Sequence, residues 1–228
     1  AGIYAKQLDM PAYVFVHNNV SQGLNIQLNK VKVYGGMNDE VTQQTVTKEI
    51  VNDLLSQRAG LLERTNRSQL TGALVISGEN SVVDGFEVNV SPVINKGILS
   101  TSVVTKDVTG IAGGVLYNTL LKGSVSGVKT VNVTATGVIA DVEGNDNNRT
   151  GAAGDNKYVT TDDWEYQLME TSADIDAGTT DINDYITMVG HSRDIAGNKR
   201  IRNTVDNGCF ETWNITQEMT ADNVDTED

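Results

Sequence analysis

One cysteine, two prolines, two histidines and an aromatic share of 5% are what this 228-residue chain has least of. A lone thiol, Cys209, excludes an internal disulfide and a multi-cysteine zinc site. Its plain role is that of a small buried hydrophobe, and its sharper one is a disulfide to a neighbouring subunit. Few aromatics mean that any core is built mainly from Val, Ile and Leu. Basic residues are also scarce, 17 against 30 acidic ones for a formal charge of −13. Direct duplex binding needs a surplus of Lys and Arg on some face, so nucleic acid is a poor partner. No run of eighteen apolar residues exists, and residues 1–17 lack the charged start and long apolar core of a signal peptide. The acidity, with Asp outnumbering Glu, suits a salty source, where screening shortens charge repulsion to a few ångströms.

What is present is alternation. Leu24–Leu28, Gly85–Val90 and Thr130–Ala135 place an apolar side chain at every second position, the pattern of half-buried antiparallel strands. Strand signals open the chain at Ala12–His17 and Leu24–Tyr34, with turns at Asn18-Asn19 and Gly35-Gly36. Val46, Ile50, Leu54, Leu55 and Leu61 fall at helical spacings and predict one helix over Thr45–Arg58. From Leu70 to Ala140 strands return, broken at Gly78, Ser91-Pro92, Gly113-Gly114 and Gly123, at the 8–12-residue rhythm of sandwiches and barrels. Two Asn, Asp and Gly-rich stretches, 141–156 and 171–184, read as projecting loops. Further strands are expected at Tyr158–Met169, Tyr185–Val189, Lys199–Val205 and Phe210–Gln217. The acidic tail Glu218–Asp228 is expected to reach a neighbouring subunit. The expectation is one all-β domain over 1–228, a jelly-roll β-sandwich or barrel with one short helix and long polar loops.

The residues that could carry chemistry are few. Gly190-His191-Ser192-Arg193-Asp194 has the residue types of a nucleophilic site but no nucleophile elbow, and reads as a surface turn. Asp163 and Glu165 flank Trp164 and would share a strand face, as a glycosidase pair or a sugar platform would. For metals only calcium is considered. Asp174, Asp176 and Asp181 supply oxygens beside a glycine, and Asp141, Glu143, Asn145 and Asp146 form a second set, yet neither follows the twelve-residue calcium-loop pattern, so solvated acidic loops are favoured. Arg193, Lys199, Arg200 and Arg202 gather in an acidic chain. They read either as charge balance on an edge strand or as a contact strip for a neighbour's acidic surface or for lipid phosphates. Asn-x-Ser/Thr occurs at Asn19, Asn66, Asn89, Asn132, Asn148 and Asn214, and Asn148, placed in the first loop, is the preferred acceptor. Gly110–Gly114 lacks the Lys of a phosphate loop, and no cofactor is expected.

Taken together, the strand-rich middle, the Asn/Asp/Gly loops, the single helix, the acidic tail and the Asp-rich acidity resemble a viral coat protein of the single jelly-roll kind. The resemblance spans the whole chain in size and layout, and is nearest to the larger of the two major capsid proteins of tailless icosahedral haloarchaeal viruses with an internal membrane. It implies an eight-stranded barrel standing in the shell and a virion location. Its partners would be further copies, a second coat protein and the membrane, with no enzymatic activity. Two other non-catalytic classes compete. One is a carbohydrate-binding or adhesin-like sandwich using Trp164, Tyr166 and Trp213; the other is a phage tail-tube subunit that polymerises into rings. A hydrolase using Asp163 or Glu165 ranks last, since nothing visible separates the two carboxylates' acidities.

Overall fold

The computed structural model describes residues 11–17, 23–37, 48–56, 68–111, 113–150, 167–179, 181–200 and 204–212. In chain order the elements are β1 (Ala12–His17), β2 (Leu24–Ile26), β3 (Val31–Met37), α1 (Lys48–Ser56), β4 (Gln69–Leu70), β5 (Leu74–Ile76), β6 (Val82–Asp84) and β7 (Glu87–Val88). They continue with β8 (Val93–Ile94), β9 (Ile98–Ser100), β10 (Val103–Val104), β11 (Val108–Gly110), β12 (Val115–Tyr117) and β13 (Leu120–Leu121). The last are β14 (Val125–Ser126), β15 (Lys129–Val131), β16 (Thr134–Ala135), β17 (Arg149–Thr150) and α2 (Asn183–Val189). They form three sheets, ordered β1-β3-β6-β9-β12-β15 (sheet I), β17-β16-β13-β10-β7-β4 (sheet II) and β14-β11-β8-β5-β2 (sheet III). Every named strand pairing is parallel. The chain is therefore a parallel β-solenoid of about six turns.

This overturns the jelly-roll sandwich or barrel and its antiparallel strands, and the reason lies at the corners. Between sheets I and II each coil turns on a single left-handed residue: Gly85, Thr101, Asn118, Asn132 and Asn147, with φ of 79°, 47°, 45°, 52° and 43°. A tight hairpin of the favoured type needs two consecutive residues at positive φ to reverse the chain, whereas one such residue only bends it onto the next face. The bends stack, the Gly85, Thr101, Asn118 and Asn132 N–H groups donating to the carbonyls of Ser100, Tyr117, Val131 and Asp146 on the following coil. Glycine and asparagine tolerate this conformation at least cost. At the other corners glycine is required for space. A Cβ at Gly110 would collide with the Ile94 carbonyl oxygen, and one at Gly78 with that of Leu28.

Alternation survives the bend, which is why Thr130–Ala135 reads as one strand in sequence. Val133 and Ala135 point into the solenoid, while Val131 faces the covering segment. Among the described residues the interior cluster runs from Ile26 to Ala135 through Val33, Val83, Leu99 and Leu116 and is Val, Leu and Ile besides Ala135, with Phe86 as its one aromatic. Fully burying each such side chain is worth about 1.5–3 kcal/mol. Inside, Ser102 and Thr119 donate their hydroxyls to Ser100 and Tyr117 carbonyls at 2.6 and 2.9 Å, so these buried polar groups carry no desolvation debt.

The outer face of sheet I is covered twice. Helix α1, within the predicted Thr45–Arg58, packs Val51 and Leu55 on Tyr34 and Met37. Beyond it the described residues of 167–212, here called the strap, lay Ile182, Val189 and Val205 over Val82, Ile98, Tyr117 and Val131. The strap also sets Ile195, Ala196, Cys209 and Phe210 against Val103 and Leu120 of sheet II.

Several further expectations change. The predicted strand Leu24–Tyr34 is split into β2 and β3 at Lys30, whose φ is 59°. Tyr185–Val189 is not a strand but most of α2, closed by Gly190 at φ 93°, whose N–H donates to the Ile186 carbonyl. Five residues are too few to separate periods of 2 and 3.6. No strand occupies the described parts of Lys199–Val205 and Phe210–Gln217; one isolated antiparallel bridge joins Arg193 to Lys199. Residues 141–150 do not project as a tower: they extend the solenoid through the Val131–Asp146 bridge and β17. In the second proposed loop Ser172, Asp174 and Ile182 are buried. Most of Tyr158–Met169 and all of Glu218–Asp228 lie outside the described residues.

Candidate functional site

The chemically capable side chains converge on the seam between solenoid and strap, in three nodes. In the first, coil positions one turn apart put Asp84 (β6) beside Ser100 (β9), and the Ser100 hydroxyl donates to Asp84 Oδ2 at 2.6 Å. His191, just past α2, brings Nε2 to 3.1 Å from Asp84 Oδ1 with both side chains essentially unexposed. Its Nδ1 accepts the Arg193 N–H at 3.0 Å, which fixes the neutral tautomer with the proton on Nε2, facing the carboxylate. The Tyr34 hydroxyl donates to the Val189 carbonyl at 2.7 Å, and its ring meets His191 edge-on at 5.6 Å.

In the second node Asp174 accepts the Thr134 hydroxyl at 2.8 Å and lies 3.1 Å from Arg149 Nε. Beside it the Asn132 side chain pairs with the Thr179 backbone, accepting its N–H at 2.8 Å. The third node centres on Arg200, which is 1% exposed. Its guanidinium donates to the Gly208, Cys209 and Phe210 carbonyls at 3.1, 3.0 and 3.3 Å and lies 3.5 Å from Glu211 Oε2. Asp194 accepts the Asn198 and Glu211 N–H groups at 2.7 and 3.0 Å, and Asp206 those of Asp176 and Thr212 at 2.7 and 2.6 Å. Burial raises all three carboxyls, Glu211 to about 9, against the opposing pull of Arg200.

The first two nodes bind the strap to the solenoid, and the third joins strap residues to one another. Ser100 donates to the carboxylate rather than to the imidazole, so the order of a nucleophilic triad is absent from these three residues. The run Gly190–Asp194 is not a surface turn, for His191 and Asp194 are buried. The calcium candidates do not converge. Asp174 is spent on Arg149 and Thr134, while Asp176 and Asp181 are exposed and use their backbone N–H groups toward Asp206 and Thr179. Among the described residues no group of three or more His, Cys, Asp or Glu is arranged to hold a metal ion. In the other acidic set Asn145 caps the Thr130 N–H at 2.9 Å, while Asp141, Glu143 and Asp146 are exposed.

The proposed contact strip is broken up. Arg200 is interior, Arg193 is half-buried and donates to the Gly197 carbonyl at 3.2 Å, Lys199 is exposed, and Arg202 lies outside the described residues. Cys209 is 2% exposed and burial pushes its thiol up to about 12, which argues against an intersubunit disulfide. Asn148 is a poor glycan acceptor: its amide nitrogen donates to Thr130 at 2.9 Å and its oxygen accepts the Val133 N–H at 3.0 Å. Asn132 is buried and Asn89 half-buried. Asp163, Trp164, Glu165, Tyr166, Trp213, Asn19, Asn66 and Asn214 lie outside the described residues.

Asp84, Ser100, Thr134, Arg149, Asp206 and Glu211 were not legible as a group. The signal that could have found the first pair is the coil spacing: the inward positions Val83, Leu99, Leu116 and Thr130 stand in register. Asp84 and Ser100 are the outward residues beside the first two.

Fold and seam together define a parallel β-solenoid braced by its own C-terminal segment. Neither protein-family models, curated proteins nor solved structures give a match to this chain. The functional reading therefore rests on its own residues.

Proposed function

We propose that this chain is a structural subunit of a larger assembly, not an enzyme. The observation that carries the reading is that Asp84, His191, Asp174, Arg200 and Glu211 are buried at the seam, facing one another or neighbouring coil and strap residues. Burial of this kind rigidifies a module and leaves no access for substrate. A solenoid suits such work, because each coil supports the next and the faces are flat and stiff. A virion shell, built with further copies and a second coat protein, is the setting favoured by chain size and Asp-rich acidity. In it the solenoid replaces the barrel as the building block.

One observation favours a second reading. The outward row of sheet III, Asn25, Val75, Val93, Thr109 and Ser126, carries no charge in an otherwise acidic chain, and Asn25, Thr109 and Ser126 are exposed. Rungs about 4.8 Å apart along such a face would accommodate an extended polymer such as a polysaccharide.

The test is the native mass of the purified chain in low and molar salt, by light scattering with negative-stain images, alongside a glycan-binding panel. Ordered oligomers or closed particles support the structural reading. A salt-independent monomer retained by one polysaccharide class replaces it with the second, and turnover of any panel member overturns both.

A further inference from the structure

Among the described residues sheet III is the least covered face of the solenoid. Helix α1 and the strap lie over sheet I, and the strap lies over Val103 and Leu120 of sheet II. On sheet III the outward residues Asn25, Thr109 and Ser126 are exposed, and Val75 and Val93 between them are half-buried. Two of the three exposed large hydrophobic side chains stand on the same side. Ile111, 61% exposed, directly follows β11 with the outward parity of Thr109. Val138, 69% exposed, takes the place of Ser124 one coil further on, since Ile139 bridges to Val125 and the Val138 N–H donates to the Ser124 hydroxyl at 3.0 Å. Charge stands at the margins, where Asp107 caps the Ser124 N–H at 2.8 Å and Lys96 pairs with Glu79 at 2.9 Å.

An uncharged face with exposed apolar side chains marks a protein contact. The charge of the chain says which protein. Copies that each carry −13 repel one another, and they do so least across a patch without charge, which in turn offers a partner of opposite sign nothing to pair with. A flat row of Val, Thr, Ser and Asn also suits its own image, because two sheets stack face to face about 10 Å apart through such side chains.

We propose that sheet III is a two-fold contact between copies of this chain, a proposal that rests on the subunit reading above. Six coils about 4.8 Å apart, each presenting some four residues of about 3.3 Å, make a face of roughly 300–400 Å² per copy, half or less of the ~800 Å² that a standard interface buries on each side. The pair is therefore reversible and concentration-dependent, and becomes lasting only where copies in an assembly engage further surfaces as well. Its centre is β8, the middle of the five strands, so Val93 lies beside its own mate whichever in-plane direction the axis takes.

Sedimentation of the full chain over about a hundredfold range of concentration, in low and molar salt, reads the association. Dimers are expected, about tenfold or more tighter in molar salt, where repulsion between copies is screened. Thr109→Glu puts two carboxylates into the contact and should weaken it about tenfold or more, whereas Thr136→Glu, which adds the same charge at an exposed position just beyond β16 on sheet II, should change it by no more than about twofold. With a short bismaleimide, Val93→Cys should cross-link to a dimer and Thr136→Cys no more than wild type, whose Cys209 is buried. Thr109→Glu dimers as tight as wild type, or a Val93→Cys protein that cross-links no better than Thr136→Cys, overturn the sheet III contact while the oligomers keep the subunit reading. A wild type monomeric under every condition overturns both, and its retention on a neutral polysaccharide, lost in Thr109→Glu, gives the face to the glycan. Cross-linking through Val93→Cys decides alone should Thr109→Glu not fold.

Discussion

Replacing His191 by Phe tests whether the seam holds the strap through the Asp84 node. The imidazole Nε2 lies 3.1 Å from Asp84 Oδ1, and the carboxylate is wholly buried. Phe fills a similar volume and keeps the edge-on contact with Tyr34, so the packing change is small. The carboxylate keeps the Ser100 hydroxyl at 2.6 Å but loses the donor that faces its other oxygen. Losing a hydrogen-bond donor to a buried charged group typically costs about 1.5–3 kcal/mol. For a chain of this size, about 2–4 °C of melting temperature per kcal/mol makes that a loss of roughly 3–12 °C. Asp84→Asn removes the charge but presents an amide that can satisfy only one of the two donors, and should cost about 1.5–3 kcal/mol. The combination Asp84→Asn with His191→Phe leaves no buried charge at the node. It should therefore lose less than the two singles summed, by a coupling of about 1–3 kcal/mol. Urea unfolding of the four proteins at pH 7 measures the cycle. A His191→Phe protein as stable as wild type, or a double variant showing strict additivity, would refute the idea that this pair fastens the strap.

Other outcomes follow from the same geometry. Glu211→Gln should stabilise the chain increasingly with pH: the raised carboxyl costs wild type about 1.4 kcal/mol per pH unit between its ordinary value and about 9, so the two urea-unfolding curves should converge near pH 5 and separate by pH 8. Asn132→Ala puts a residue that disfavours the left-handed region at φ 52° and deletes both bonds to Thr179, for a loss of about 2–4 kcal/mol; Asn132→Gly, which relieves the backbone alone, should recover about 1 kcal/mol of it in the same assay. Gly110→Ala drives a methyl into the Ile94 carbonyl and should cost about 3 kcal/mol or more, read as a lowered melting temperature or as insoluble expression. On a non-reducing gel the native chain, alkylated after unfolding, should run without a disulfide-linked dimer, because Cys209 is buried with its thiol pushed up to about 12.

The sequence by itself determined the composition of the core, the β character of residues 70–140, the helix at Lys48–Ser56 and the places where the chain turns. Each of these depends on local chemistry: Val, Ile and Leu at alternate positions, a 3.6-residue spacing, and glycine or asparagine where φ must be positive. Gly78, Ser91-Pro92, Gly113-Gly114 and Gly123 do separate consecutive strands. The direction of the neighbouring strand was beyond such reading, since a two-residue period is the same in parallel and antiparallel sheets. The repeat that would have revealed the coils is irregular, and between Val33 and Val83, which pair directly, it is interrupted by α1 and its flanks. Only the tertiary structure decided that Asp84 meets Ser100 and His191, that Arg149 meets Asp174, and that Arg200 is buried among three carboxyls. Stacking coils brings residues one turn apart onto one face, and the strap then crosses several coils at once. These contacts are products of the winding, and nothing in the local sequence around each residue encodes them.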